Sequence, residues 1–266
     1  MSSLIPAEEE TRFRNRQSDA SDMEAMQEFI DEAVVTEVLN VIKSGKEATV
    51  YRCRAHRSLG HPIVAAKVYH ASGFRNFGND AIYNDGRQIL TGQVRRAIKK
   101  KTGAGREFAA SMWVNREFDA LSALHYAGAD VPEPFFATDR AILMEYIGDE
   151  AQSAVQLQHA DIDPTEAAAL ADRLLWNIEL WLDNEFVHGD LSAFNVLYHQ
   201  GRGIAIDFPQ AVDPRENTKA RHLLERDLRN ICQYFARHGV ERDWSRIAAN
   251  LWGRFRYGDL GKSVGR

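Results

Sequence analysis

The fold of this chain is decided by the stretch Val187-His188-Gly189-Asp190-Leu191-Ser192-Ala193-Phe194-Asn195-Val196-Leu197, which Ile204-Ala205-Ile206-Asp207-Phe208 follows shortly. Asn195 stands five positions after Asp190, and Asp207 closes the second apolar run. This spacing is the H-x-D-x-x-x-x-N pattern of phosphoryl-transfer loops, followed by a metal-binding Asp. Asn195 and Asp207 can hold Mg²⁺ against triphosphate oxygens, while Asp190 faces an incoming hydroxyl group. Taken singly, an Asp that caps a helix or an Asn in a turn would be ordinary.

Residues 196–206 predict a hairpin that returns Asp207 to the side of Asn195. Both Val196-Leu197-Tyr198-His199 and Ile204-Ala205-Ile206 have the composition of strands, and the residues between them include the glycines of a tight turn. Because the outer ends of a hairpin meet, the sequence predicts that the amide and the second carboxylate share one site.

Composition narrows the class of protein. The chain has 266 residues, of which 44% are hydrophobic and 27% are charged, which suits one large globular domain or two lobes that share a cleft. No apolar run approaches the roughly 18 residues that span a bilayer, and the polar N-terminus lacks a signal-peptide core. Two cysteines give neither a disulfide framework nor a zinc site, and the net charge of -5 argues against bulk nucleic-acid binding. We expect a cytoplasmic protein that makes no membrane contact.

The first part of the chain predicts a phosphate-covering loop. Residues 1–20 predict a mobile arm, and Ser21-Asp22-Met23-Glu24 has the pattern of a capping box that begins a helix through about Val34. Strands over 38–42 and 49–53 enclose the loop 43–48. In that loop Gly45 permits close backbone approach, so Ser44 and the backbone N–H groups can meet phosphate oxygens. Taken alone, the loop has the pattern of a plain hairpin turn, and that structural interpretation is the default.

A buried lysine and a helix-borne acid extend this interpretation. Lys67 lies inside the apolar strand 62–69, where an ammonium group is costly unless it is paired or bound to an anion; an edge-strand lysine is the alternative. A helix over 108–126 places Glu117 on or beside its apolar face, as the candidate ion-pair partner of Lys67.

Two other segments predict a hinge and a charged loop. From Ala141 an apolar strand enters a polar turn, where Glu145 and Ile147 would offer backbone groups to an adenine edge and Met144 would shape the pocket. The basic run 95–101 is by default a solvated surface, with a contact to phosphate or RNA backbone as the weaker alternative.

The remaining sequence predicts helices. Asp163-Pro164-Thr165-Glu166 begins one that runs through about Asp183, with Asp as the N-cap and Pro at the first helical position. Further helices are predicted over 221–237 and 242–258.

The chain resembles the RIO family of atypical protein kinases, most closely its bacterial members, over roughly residues 36 to 240. The resemblance rests on six segments: Ser44–Tyr51, Ala66–Tyr69, Trp113–Phe118, Met144–Gly148, His188–Asn195 and Ile206–Gln210. It implies an α+β class and a trimmed bilobal protein-kinase-like fold. Residues 1–35 would form an arm and helix, 36–147 an N-lobe with an antiparallel sheet and one main helix, and 148–266 a mostly helical C-lobe.

The resemblance also implies an activity and a role for each site residue. It implies ATP with Mg²⁺ or Mn²⁺, and serine/threonine phosphorylation of proteins that includes autophosphorylation. Asp190 would be the catalytic Asp, Lys67 would bind the phosphates and pair with Glu117, and Asn195 and Asp207 would bind metal. The nucleotide contacts would be Ser44, Lys46, Lys67, Met144, Glu145 and Ile147. In this family the residue that matches Asp207 can also accept phosphate transiently.

Two other functions stay open on the sequence. No A-P-E element follows Asp207, so an ATPase switch or a scaffold on an RNA–protein (ribosomal) assembly is an alternative to a protein kinase. A small-molecule phosphotransferase of the aminoglycoside or choline kinase type is the other. The short span from Gly148 to Glu185 disfavours it, because those enzymes usually have a larger helical substrate region there.

Overall fold

The structure is a computed structural model that describes residues 20–70 and 103–260, without the side chains of 103–110. The predicted arm over 1–19 and the basic run over 95–101 lie outside the described residues. The described residues form two compact units, one of residues 20–70, 103–115 and 135–146, the other of residues 116–134 and 147–260. Within these ranges no helix combines the length and the apolar character needed to cross a bilayer.

The first unit is built on a five-stranded sheet with the order β1-β2-β3-β5-β4, in which β1–β2, β2–β3 and β3–β5 pair antiparallel. The strands are β1 (Val35–Ser44), β2 (Ala48–Ala55), β3 (Ile63–Tyr69), β4 (Pro134–Ala137) and β5 (Ala141–Glu145). Helix α1, residues 20–31, buries Met26 and Phe29 in a core shared with Val64 and Leu143 of the sheet. The antiparallel sheet predicted for this part of the chain is confirmed, with β1 longer than predicted.

Helix α1 differs from the prediction at both ends. It is already helical at residue 20, so Ser21 is not its cap; the Ser21 hydroxyl instead accepts a hydrogen bond from Arg140 at 3.0 Å. The helix ends at residue 31 rather than near Val34, because Ala33 takes a left-handed φ of 55°. The backbone N–H of Val34 then closes the helix end on the Phe29 carbonyl at 3.0 Å, as in a Schellman motif.

The second unit is mainly helical, as predicted. Helix α2 (Gly103–Tyr126) contributes its residues from 116 onwards to this unit. Its other helices are α3 (Pro164–Asp183), α4 (Ala220–Ala236) and α5 (Trp244–Tyr257). A three-stranded sheet with the order β6-β7-β8 completes it, and its strands are β6 (Val155–Gln156), β7 (Val196–His199) and β8 (Arg202–Ala205).

Local sequence signals set the positions of α3 and of the β7–β8 hairpin. The Asp163 carboxylate accepts hydrogen bonds from the backbone N–H groups of Thr165 at 2.8 Å and Glu166 at 2.9 Å, which confirms the predicted helix start. In the hairpin turn, Gln200 and Gly201 have φ values of 50° and 77°. Two successive left-handed residues form the tight turn that suits twisted antiparallel strands, and glycine adopts that conformation without steric cost.

Candidate active site

The loop that carries Asp190 is fixed by the buried imidazole of His188. Nε2 of His188 donates to the carbonyl of Ile206 at 3.0 Å, and Nδ1 accepts the backbone N–H of Asp190 at 3.3 Å. This pattern assigns the ring proton to Nε2. The ring also packs on Phe208, with 4.5 Å between the centroids. One side chain therefore ties the catalytic loop to the segment that contains Asp207.

Helix α4 supports the same loop through Asp227, which is 2% exposed. Its two carboxylate oxygens accept the backbone N–H groups of Gly189 at 2.8 Å and Leu191 at 3.0 Å. Burial raises the pKa of Asp227 to about 7, although both N–H groups favour the carboxylate. The adjacent carbonyls are bound from the same helix, since Arg226 donates to Gly189 and Asn230 donates to Leu191 at 3.0 Å. The backbone on both sides of Asp190 is thus held by one turn of helix.

Asp190, Asn195 and Asp207 come together as the sequence predicts. The amide Nδ2 of Asn195 donates to the backbone carbonyl of Asp190 at 2.8 Å and to its Oδ2 at 3.4 Å. The N–H of Ile206 donates to the Asn195 carbonyl at 2.9 Å, which sets Asp207 beside Asn195. Desolvation raises the pKa of Asp190 and the charge of Asp207 raises it further, while Arg226 and Asn195 act in the opposite direction.

This trio fits a hard divalent cation. Since the Asn195 amide nitrogen is engaged with Asp190, its oxygen is the atom presented to a ligand. Two neighbouring carboxylates repel each other, and a cation between them would remove that repulsion. In the part of the chain that the structure describes, no three His, Cys, Asp or Glu side chains form a metal cage. Carboxylate and amide oxygens suit Mg²⁺, which commonly completes its octahedron with water and phosphate oxygens.

Glu117 of α2 is buried at 1% exposure and accepts the backbone N–H of Phe208 at 3.1 Å. This hydrogen bond connects α2 to the residue that directly follows Asp207, whose own φ is 67°. A left-handed Asp is uncommon and is held only where the neighbouring structure fixes it. The predicted ion pair between Glu117 and Lys67 remains a prediction, because the two residues belong to different units.

In the first unit, Lys67 lies on the central strand β3 and is 6% exposed. Its neighbours across the sheet are Val50 and Ile142, and its Nζ lies 5.0 Å from the centre of the Tyr69 ring. Lys67 is therefore a buried lysine on a central strand, and the edge-strand alternative is wrong.

The other predicted nucleotide contacts divide between the two units. Ser44 ends β1, Lys46 lies in the turn before β2, and Met144 and Glu145 end β5, all in the first unit. Ile147 belongs to the second unit, where its carbonyl accepts the N–H of Ala154 at 2.9 Å. The assignment of these residues to a nucleotide site remains a prediction.

Sequence reasoning missed the residues of α4 that hold the catalytic loop. Leu224 and Leu228 lie on the buried side of this helix, and Asp227 lies beside them at helical spacing. A carboxylate on a buried helix face requires a hydrogen-bonding partner, and that was the available signal.

Comparison with known proteins identifies the relatives of this chain. The family model described as RIO domain matches residues 49–247. The serine/threonine-protein kinase RIO1 of Chaetomium thermophilum is 30% identical over 227 residues, which cover 80% of this chain and 42% of that protein. The RIO-type serine/threonine-protein kinase Rio1 of Thermoplasma acidophilum is 30% identical over 71% of this chain and 92% of its own length. The chain thus spans less than half of the first relative and nearly all of the second.

Solved structures show the same fold. The Rio2 kinase–ADP/Mg²⁺–phosphoaspartate complex from Chaetomium thermophilum superposes with a TM-score of 0.63 and 20% identity, covering 85% of this chain and 64% of that one. A second structure of the same Rio2 kinase gives a TM-score of 0.62. The predicted α+β, kinase-like fold class is confirmed.

Proposed function

This chain belongs to the RIO family, and on that premise we propose that it is an ATP- and divalent-metal-dependent serine/threonine protein kinase. The observation that carries the proposal is the convergence of Asp190, Asn195 and Asp207 on a loop braced by buried side chains. Relatives named as serine/threonine-protein kinases support the reaction type. A protein hydroxyl as the acceptor, autophosphorylation and a cytoplasmic location, where ATP is abundant, belong to the same proposal.

In this mechanism the chain positions the reactants. Asp190 accepts a hydrogen bond from the acceptor hydroxyl and takes up its proton as the oxygen attacks the γ-phosphorus. The bond from that phosphorus to the β,γ-bridging oxygen breaks, and ADP leaves. Lys67, oriented by Glu117, holds the phosphates, and Ser44 and Lys46 cover them. Met144, Glu145 and Ile147 receive the adenine ring. Placing the hydroxyl in line with the phosphorus supplies much of the acceleration in such reactions.

The metal site would consist of the Asn195 amide oxygen and the Asp207 carboxylate. When bound there, Mg²⁺ or Mn²⁺ would neutralise charge on the phosphate oxygens.

Transfer of radiolabelled γ-phosphate from ATP to protein tests the proposal. We expect Asp190→Ala and Lys67→Ala each to lower the rate by about 100- to 10,000-fold, the range for losing a positioned acid–base or electrostatic group. Asp161→Asn, which alters an exposed acid of the unit that contains Asp190, is the matched control and should keep the wild-type rate. Substantial transfer by both Ala variants, each folded by circular dichroism, would reject the assignment.

A second candidate is an ATPase cycle, of the kind an RNA–protein assembly could use as a switch, that passes through Asp207 itself. The solved Rio2 relative is a phosphoaspartate complex, and Asp207 here has a constrained left-handed backbone. In this cycle a carboxylate oxygen of Asp207 bonds to the γ-phosphorus, ADP leaves, and water later releases phosphate. Label that hydroxylamine removes, and that Asp207→Asn abolishes, would identify this route; hydroxylamine-stable label would identify a serine or threonine ester.

A further inference from the structure

A line of side-chain contacts runs from the phosphate-covering loop into the body of the first unit. The Ser44 hydroxyl lies 3.3 Å from the hydroxyl of Thr49, which is 4% exposed. The Thr49 hydroxyl lies in turn 2.8 Å from Nε2 of His70, at the end of β3. An exposed loop residue is thus connected through a buried hydroxyl to an imidazole.

His70 contacts the loop at two further points. Its backbone N–H donates to the carbonyl of Glu47 at 2.8 Å. The backbone of Lys46 also faces its imidazole and favours the protonated ring, which raises the pKa of His70. His70 therefore contacts the loop directly at Lys46 and Glu47, and is connected through Thr49 to Ser44.

Behind His70 lies the first turn of helix α1. Asp22 is 1% exposed, accepts the Tyr51 hydroxyl at 2.9 Å and lies 3.7 Å from Nε2 of His70. Arg140 fixes the same turn through its hydrogen bond to Ser21 at 3.0 Å. A buried carboxylate requires such partners, so the position of α1 and that of His70 determine each other.

We propose that Asp22 and His70 are positioning residues, through which helix α1 holds the loop 44–48 in the conformation that meets the ATP phosphates. The inference deepens the proposed function and rests on it, because it takes Ser44 and Lys46 as nucleotide contacts. Neither Asp22 nor His70 touches the reacting atoms in this scheme. Their effect is therefore on the affinity for ATP, with the chemical step left unchanged.

The charge of His70 makes this arrangement sensitive to pH. The groups that face the ring are the carboxylate of Asp22, the guanidinium of Arg140, the hydroxyl of Thr49 and the backbone of Lys46. The nearby carboxylate of Asp22 raises the pKa of His70 above its usual 6.5, while desolvation and Arg140 oppose the rise. Only the protonated ring donates from both nitrogens. The affinity for ATP should therefore fall as pH rises through the raised pKa.

The test measures KM and kcat for ATP between pH 6 and pH 9 in the full chain. Asp22→Asn keeps the shape and removes the charge, and Thr49→Val removes the hydroxyl that joins Ser44 to His70. We expect each to raise KM for ATP about tenfold, the factor for one charge-assisted hydrogen bond, with kcat within about twofold. In Asp22→Asn the pH at which KM begins to rise should also move down, because the pKa of His70 falls when the carboxylate charge beside it is removed.

Two matched variants separate positioning from general damage. Glu24→Gln changes an exposed acid of the same helix, and Thr49→Ser keeps the hydroxyl, so both should retain the wild-type KM. If Asp22→Asn does not fold, Tyr51→Phe removes only the hydroxyl that donates to Asp22 and takes its place.

A KM within twofold of wild type in the altered variants, or an unmoved pH profile, would overturn the inference. Absence of ATP binding by the wild-type protein would instead overturn the proposed function.

Discussion

The catalytic loop and the phosphate-covering loop are supported in different ways. The backbone of 189–191 makes four hydrogen bonds with side chains of helix α4: two N–H groups donate to Asp227, and two carbonyls accept from Arg226 and Asn230. The loop 44–48 is largely exposed, and its side-chain link to the sheet is the chain of hydrogen bonds through Thr49 and His70. The first loop is held by a buried helix face, the second by a few polar contacts.

This difference separates two tasks within one reaction. Groups that act in the transition state must be placed within a fraction of an ångström, which requires a rigid support. A loop that admits and releases a nucleotide must open at low free-energy cost, and sparse, exposed contacts allow that. Substitutions in the support of the first loop should therefore change kcat and stability, and those around the second should change KM.

Among substitutions in the supports of the two loops, the largest effect is expected from Asp227→Ala. It leaves the N–H groups of Gly189 and Leu191 buried without their acceptor, at a cost of about 2–4 kcal/mol in the free energy of unfolding. The displaced loop should lower kcat about 100-fold, with KM for ATP nearly unchanged. Chemical denaturation and steady-state kinetics measure the two quantities.

Glu225→Gln is the control on the same helix, since it alters an ion pair with Arg221 at 3.0 Å on the surface. It should change stability by less than about 0.5 kcal/mol and leave kcat as it is. A rise in KM as the main consequence of Asp227→Ala would contradict the division of tasks.

A second effect of Asp227 should appear in the pH dependence of stability. Its pKa is raised from 3.8 to about 7 in the folded protein, so between these values the folded state binds a proton that the unfolded state has lost. The contribution of Asp227 to stability is therefore greatest at acid pH and declines as pH rises toward 7. The pKa of His70 is also raised in the folded protein, so its contribution to stability likewise declines as pH rises above its usual value of 6.5.

Comparison with Asp227→Asn isolates this contribution. Denaturant titrations at pH 5, 6, 7 and 8 should show the free energy of unfolding falling more steeply in the wild type than in the variant. Parallel profiles would mean that Asp227 is ionised throughout, and the loop would then be held by a buried charge.

The sequence alone predicted the structure correctly where the interacting residues lie close together along the chain. Asp190, Asn195 and Asp207 lie within one loop and hairpin, so their spacing alone predicted their meeting. The start of α3 was equally local, because Asp163 binds N–H groups only two and three residues away. The fold class was predicted from the resemblance to the RIO family, because local sequence patterns alone do not specify it.

Long-range polar contacts could not be predicted in this way. Asp227 binds the catalytic loop across 36 and 38 positions, and nothing in the sequence names its partners. Asp22 was assigned to a capping box, and its burial depends on the packing of α1 against the sheet. The early end of α1 follows from a left-handed Ala33, a conformation that alanine rarely adopts.

The smallest effects should come from a pair of glycine substitutions that place the two loops side by side. Gly189 has a φ of 80°, so Gly189→Ala should cost about 1–2 kcal/mol and lower kcat. A Cβ on Gly45 would meet only the Ala48 carbonyl oxygen, at 3.4 Å, and Gly45 is not left-handed. Gly45→Ala should therefore change stability by less than about 0.5 kcal/mol and raise KM for ATP only a few-fold, because its methyl group lies where phosphate would approach. Equal losses of stability in the two variants would show that the loops are held with similar rigidity, and would remove the physical basis for assigning kcat to one and KM to the other.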